Sequence, residues 1–185
     1  MMIPCYVTGK GMFASTRTWS FKTGIIAMLE DTGLGFDTRY QYYRQQFPDM
    51  ERMALARMIC EPMEHYDRDW PVYRDRQSAE SGEALAATTF MLQLDNRFRD
   101  QARAVIACYD EAGFGSGVNA MIFLQAGKPL LGFYNREALS KTTNLSNILQ
   151  LGIAFPELVT LHEYQHPDEI PDIAQVWLEG ISAEL

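Results

Sequence analysis

The sequence predicts a single α/β domain built on a parallel sheet with helices on both faces, and three observations carry that expectation. Apolar runs of strand length alternate along the chain with segments of helical periodicity. Two of the runs, Ala104 to Tyr109 and Pro129 to Phe133, are continuously apolar, as strands buried on both faces must be. The stretch between them has the length of a crossover helix, and right-handed crossovers between neighbours build one parallel sheet. The expected fold is flavodoxin-like or Rossmann-like, doubly wound.

Each element has its own signal. Ile3 to Thr8 reads as the first strand and breaks at Gly9-Lys10-Gly11. A helix follows from about Ser15, with Trp19, Ile26 and Leu29 near one face, and stops at Gly33. Leu34 to Tyr40 is the candidate second strand. Pro48-Asp49 opens a helix carrying Met53, Leu55, Met58 and Ile59, and the Met-rich run from Met50 to Met63 reads as packing. His65 to Arg76 is polar and aromatic, a surface loop or lid, and a further helix runs from near Ser78 through Leu85 and Leu92 towards Asp95. Residues from about 41 to 90 thus read as a helical or lid-like insertion within one domain spanning 1–185. Beyond the central strand a short helix runs through Ala126 to Gly127-Lys128-Pro129. Asn144 to Leu151 is the next helix and Glu157 to His162 the last strand. Pro171 to Leu185 is a closing amphipathic helix with Ile173, Val176, Trp177 and Ile181.

A chain of 185 residues, 47% hydrophobic and 22% charged, can bury one sizeable core and is neither disordered nor fibrous. Its 16 basic and 24 acidic residues leave a formal charge of −8. Such a surface repels phosphate backbones and anionic bilayers, so neither nucleic-acid polymers nor membranes are expected partners. A small phosphorylated ligand stays compatible, because local amides and one or two cations can hold it. Cys5, Cys60 and Cys108 form no CxxC pair, so neither a disulfide framework nor a zinc ribbon is indicated, and Cys5 and Cys108 read as buried. The N-terminus lacks the pattern of a signal peptide and no apolar stretch reaches membrane-span length, so a cytoplasmic protein is expected.

In a sheet of this kind ligands bind outside the carboxyl ends of the strands. Three loops fall there: Gly9 to Ser15, Asp110 to Val118, and Tyr134 to Thr143. The first sets Gly9, Gly11, Ser15 and Arg17 at a helix start, where free amides suit an anion or sugar hydroxyls. Without the full GxGxxG spacing, a dinucleotide site is disfavoured. The second places Asp110 and Glu111 at a strand end, before Gly113, Gly115, Ser116, Gly117 and Asn119. Solvated acids in a plain turn would look the same. His162 and His166 have metal-ligand spacing, yet one closes a strand and Pro167 follows the other. No metal or organic cofactor is expected. Trp70, Tyr73 and the cluster Tyr40, Tyr42 and Tyr43 suit either stacking on a nucleobase or packing in a lid.

The frame of Asp95, apolar strand, Gly-rich loop, helix and Gly127-Lys128-Pro129 resembles that of the nucleoside 2-deoxyribosyltransferases and their nucleotide N-hydrolase relatives. The resemblance spans most of the chain in topology, while residues 41 to 90 match poorly. It implies that Asp95, fourteen residues before Tyr109, is an active-site Asp. It implies substrate contacts from Gly9, Gly11 and Phe13 in the first loop and from the Gly115-Ser116-Gly117 cradle. Asn144-Leu145 resembles a family pair that completes the site across subunits, which implies a homo-oligomer.

One position departs from the family. Eight residues before Gly127, where the family carries its nucleophilic Glu, stands Asn119. The family Glu attacks C1′ of the sugar as the base leaves, and an amide has no charge with which to do so. Two readings stay open. Asp110 or Glu111 supplies the carboxylate, and a nucleoside or nucleotide is cleaved or transferred at its N-glycosidic bond. Alternatively the site recognises such a ligand without turnover, as a sensor or interaction module. A redox flavodoxin-like protein ranks last, since the first loop is not Ser/Thr-rich.

Overall fold

The computed structural model describes residues 2–10, 15–60, 93, 95–141 and 143–182, with backbone only at 57–60. Its centre is a five-stranded sheet, all parallel, in the order β2-β1-β3-β4-β5. The strands are β1 (Ile3–Thr8), β2 (Gly35–Asp37), β3 (Ala104–Cys108), β4 (Leu130–Tyr134) and β5 (Val159–Glu163). Around them lie α1 (Thr16–Thr32), α2 (Thr38–Gln46), α3 (Arg52–Cys60), α4 (Phe114–Gln125), α5 (Leu145–Ala154) and α6 (Ile170–Ile181). This is the flavodoxin-like strand order, in which the chain reverses its direction of winding between β1 and β3. The two apolar runs are neighbouring parallel strands as expected, with Val105 opposite Leu130 and Cys108 opposite Phe133.

Alternation along the strands divides the core in two. Ile3, Cys5, Val7, Ile106, Cys108, Leu131 and Phe133 face α1 and α6, where Phe21, Ile25, Leu29, Ala174 and Leu178 are buried. Tyr6, Val105, Ala107 and Leu130 face the other way, against Tyr40, Tyr43, Leu55, Phe98, Phe123 and Ile148. Every residue of β3 and β4 is buried, and each large aliphatic side chain so placed contributes about 1.5–3 kcal/mol relative to exposure. Cys5 and Cys108 are buried free thiols. Among the described residues no helix is long and apolar enough to cross a membrane.

The structure shifts several boundaries, each for a local reason. Helix α1 stops where expected because Gly33 takes the left-handed conformation (φ 66°) and its N–H bonds the Leu29 carbonyl. The second strand is only Gly35–Asp37 rather than Leu34 to Tyr40. Asp37 ends it by capping α2: its carboxylate accepts the Tyr40 N–H at 2.8 Å and, across the sheet, the Val7 N–H at 2.8 Å. Helix α3 opens at Arg52, not at Pro48-Asp49, because the Glu51 carboxylate accepts the Ala54 N–H at 2.8 Å. Met53 is 38% exposed there while Leu55 is buried. The helix expected to end near Asp95 continues through residues 95–101. The helix start at Ser78, the lid at His65 to Arg76, Trp70, Tyr73, Gly11 and Phe13 lie outside the described residues.

β4 depends on the absence of a side chain at Gly132. A Cβ there would stand 2.6 Å from the Tyr109 ring and 2.8 Å from a Leu161 methyl, closer than carbon atoms pack. Gly132→Ala is therefore expected to lower the unfolding free energy by about 1–3 kcal/mol through overpacking. Urea denaturation of the two proteins checks this, and an unchanged midpoint would mean that Tyr109 does not rest on this strand.

Candidate functional site

At the carboxyl ends of β1, β3 and β4 two adjacent acids take different directions. Asp110 is wholly buried. Its Oδ1 accepts the Asn135 N–H at 2.7 Å, just beyond β4, and its Oδ2 accepts the Tyr164 hydroxyl, just beyond β5. The Arg17 guanidinium of α1 stands 3.8 Å from Oδ2. The Asp110 carbonyl in turn accepts the Ser140 N–H at 2.8 Å. One side chain thus ties three strand ends together. Burial pushes the Tyr164 hydroxyl's pKa well above its ordinary value, and the bond to Asp110 adds to that shift.

Glu111 reaches to the start of α1. Its Oε2 accepts the Ser15 N–H at 3.1 Å, the Ser15 hydroxyl at 2.8 Å and the Thr18 hydroxyl at 2.6 Å. Lys10 Nζ lies 4.0 Å from Oε1. Burial works to raise the pKa of this carboxyl, but the Thr18 and Ser15 hydrogen bonds and the Lys10 charge outweigh it, so Glu111 titrates below its ordinary range. The loop after β1 is pinned as well. Lys22 Nζ donates to the Lys10 carbonyl at 2.9 Å, and a Cβ on Gly9 would meet Thr18 at 3.1 Å. An ionised carboxylate, a nearby cation and a second cation on Asp110 make a polar, charge-balanced rim at the point where winding reverses. Such a rim can hold sugar hydroxyls or a small anion.

The other expected residues are placed elsewhere. Asp95 lies in the helix 95–101, bonded to Arg99 at 3.2 Å and to the Tyr6 hydroxyl at 3.4 Å. Tyr6 in turn stacks on Phe123 of α4 at 5.1 Å. Asp95 and α4, which carries half-buried Asn119, therefore share one face of the sheet, while Glu111 turns to α1. Gly115, Ser116 and Gly117 are not in an open loop, because α4 begins at Phe114. The Ser116 and Gly117 N–H groups both go to the Gly113 carbonyl, at 3.1 and 3.3 Å, so they close the first helical turn. Asn144 caps α5, its side-chain carbonyl accepting the Ser146 N–H at 2.9 Å. Lys128 of the Gly-Lys-Pro turn donates to the Arg99 carbonyl at 2.6 Å and so caps the helix 95–101. His162 packs its ring 6.0 Å from that of Phe133. Among the described residues no group of three or more His, Cys, Asp or Glu could hold a metal ion.

Beside the rim, a cavity of about 640 Å³ opens between α4 and α5, within the range of roughly 300–1,000 Å³ typical of ligand sites. Tyr109, Ala112, Gly113 and Thr143 line it where it approaches the rim, and Asp95, Glu111 and Asn119 do not. Three partners of the two acids were missed in the sequence reading. Thr18 and Tyr164 are ordinary helix and loop residues in sequence, 93 and 54 positions from the acids they serve. Thr143, which donates to the Asp110 and Ala112 carbonyls at 3.3 and 3.0 Å, was marked in sequence only as the end of the third loop.

No family model and no curated protein matches this chain.

Glu111 is expected to stabilise the fold in a pH-dependent way. Its folded-state pKa is depressed, so the contribution is present above the ordinary carboxylate range and lost as pH falls through the folded value. Glu111→Gln should cost about 1–2 kcal/mol at pH 7, because a neutral acceptor replaces a charged one. The two proteins should converge in urea midpoint near pH 3. A gap that persists at that pH would assign the effect to shape instead of charge.

Proposed function

We propose that this chain binds a nucleoside or nucleotide at the rim between β1 and β3 and acts at its N-glycosidic bond. The observation that supports the reading best is Glu111: an ionised carboxylate beyond β3, held by Ser15 and Thr18 at the start of α1, with Lys10 beside it. Its Oε2 is committed to three donors, which leaves Oε1 as the edge that can face a ligand. In this role Glu111 replaces the absent acid of α4, either attacking C1′ or steadying the positive sugar as the base departs. Lys10 and Arg17, 38% and 48% exposed, are placed to meet a 5′-phosphate. Cleavage leaves the bond's electron pair with the base, and water or a second base then takes C1′.

A non-catalytic sensor is the second reading, and α4 favours it. That helix carries no acid at all, and Asn119 offers hydrogen bonds without charge.

Deoxyinosine with free adenine, assayed for transfer beside calorimetry on nucleosides and their monophosphates, tests both readings. Binding is expected, with transfer roughly a thousandfold or more below that of an enzyme with a carboxylate on α4. Glu111→Gln should abolish residual turnover and Asn119→Glu should raise it. Binding with no turnover in any variant selects the sensor. Brisk transfer that survives both Glu111→Gln and Asp110→Asn would overturn the assignment of the carboxylate.

A further inference from the structure

Helix α4 is apolar on both of its sides. Ser116, Ala120, Phe123 and Leu124 form its buried stripe, and Phe114, Val118, Met121 and Ile122 on the opposite stripe are exposed. The neighbouring α5 repeats the pattern, with Ile148 buried and Leu149 and Ile153 exposed. Six of the nine large hydrophobic residues exposed among the described ones thus stand on these two helices, Phe114 at 91% and Ile153 at 79%. In a chain of net charge −8, neither helix contains a charged residue. A helix that is apolar all round belongs in an interior, and a contiguous exposed patch of this kind marks an interface.

We propose that α4 and α5 form the contact between two copies of this chain, related by a two-fold axis that sets α5 antiparallel to its copy, with the Phe114 ring of each copy seated in the other's cavity between α4 and α5. Three observations select a second copy as the occupant. A two-fold contact brings a surface against itself, so any charge on it would meet the same charge, and this face has none. A foreign partner drawn to an acidic chain would be basic, and would find no acid on either helix to pair with. The face also carries both a knob and a hole, as a self-complementary surface must. Phe114 projects at the edge of a cavity of about 640 Å³ whose walls include Val118, Met121, Ile148 and Leu151. Charge at the two ends of α5 sets the direction. The nearest charged residue before it in sequence is Lys141 and the nearest after it is Glu157, both exposed. Antiparallel packing brings each lysine to the end of α5 where the other copy has its glutamate. None of Lys10, Arg17, Asp110 and Glu111 belongs to α4, α5 or the cavity wall, so the inference does not rest on the function proposed for the rim.

Sedimentation equilibrium of the full chain from about 1 to 100 μM tests it. The mass should rise from that of one chain to that of two. Phe114→Ala should weaken the dimer about tenfold or more, since each copy loses its anchor. Val118→Glu should abolish it by bringing an unpaired charge into an apolar contact. Both side chains are exposed in the single chain, so circular dichroism and melting of the monomer should stay unchanged, which a structural role would not allow. Lys141→Glu should weaken association, and adding Glu157→Lys should restore it. A monomer at every concentration overturns the proposal. If such a monomer binds the dye anilinonaphthalene sulfonate at this face, the patch serves some other partner. A dimer that survives both Phe114→Ala and Val118→Glu overturns it as well, because the contact then lies elsewhere. So does a double charge swap that associates no better than Lys141→Glu. Should Val118→Glu fail to fold, Phe114→Ala and the charge swap decide.

Discussion

Asp110 has no contact with solvent, yet β1's helix, β4 and β5 all reach it. A carboxylate in that position is costly to bury and is tolerated only when its oxygens are met. Here the backbone after β4, the hydroxyl after β5 and the guanidinium of α1 meet them, so each satisfied bond fixes another piece of the rim. The loops that carry Glu111, Asn135 and Thr143 follow from that fixation. So does the cavity, because the segment from Tyr109 to Gly113 forms its inner side while Asp110 anchors it from behind. Remove the charge and the partners lose their common point, which matters more than the energy of any one bond.

What the sequence disclosed and what it hid divide along a physical line. Ala104 to Tyr109 and Pro129 to Phe133 announced themselves because a strand buried on both faces must be apolar throughout. Gly33 and Gly127-Lys128-Pro129 marked helix ends through backbone conformation, which is local. The failures were of another kind. Asp37 turned a presumed strand into a helix start by bonding to residues on both sides of itself, one of them thirty positions away. Glu111 was visible as a candidate, but its partner Thr18 was not, since nothing in a helix interior advertises a hydroxyl as the neighbour of a distant acid. Asp95 and α4, with Asn119, lie on one face of the sheet while Glu111 turns to α1, a separation made by tertiary packing and not written in the spacing along the chain.

Charge is distributed as sharply as packing. The rim gathers Lys10, Arg17, Asp110 and Glu111 within a few residues of two strand ends, while α4 and α5 carry none. Two surfaces of opposite character thus sit on either side of one short loop, one charged and hydrogen-bonded and the other apolar. Both are built on the backbone between Tyr109 and Gly113.

The strand order carries a consequence for how the chain folds. β3, β4 and β5 follow one another with short crossovers, so the region from 104 to 182 can assemble from contacts close in sequence. β1 must instead find β3 across nearly a hundred residues, pairing Cys5 with Ala104 and Thr8 with Ala107. That ladder is the most non-local pairing of the sheet, and the segment between α3 and the helix 95–101 lies in sequence between its two strands. Because closure entropy grows only with the logarithm of length, doubling such a loop costs only about 0.6 kcal/mol. Length added between β2 and β3 therefore costs the closure of that ladder little, whereas the rim is fixed from both halves of the sheet through Asp110 and Glu111.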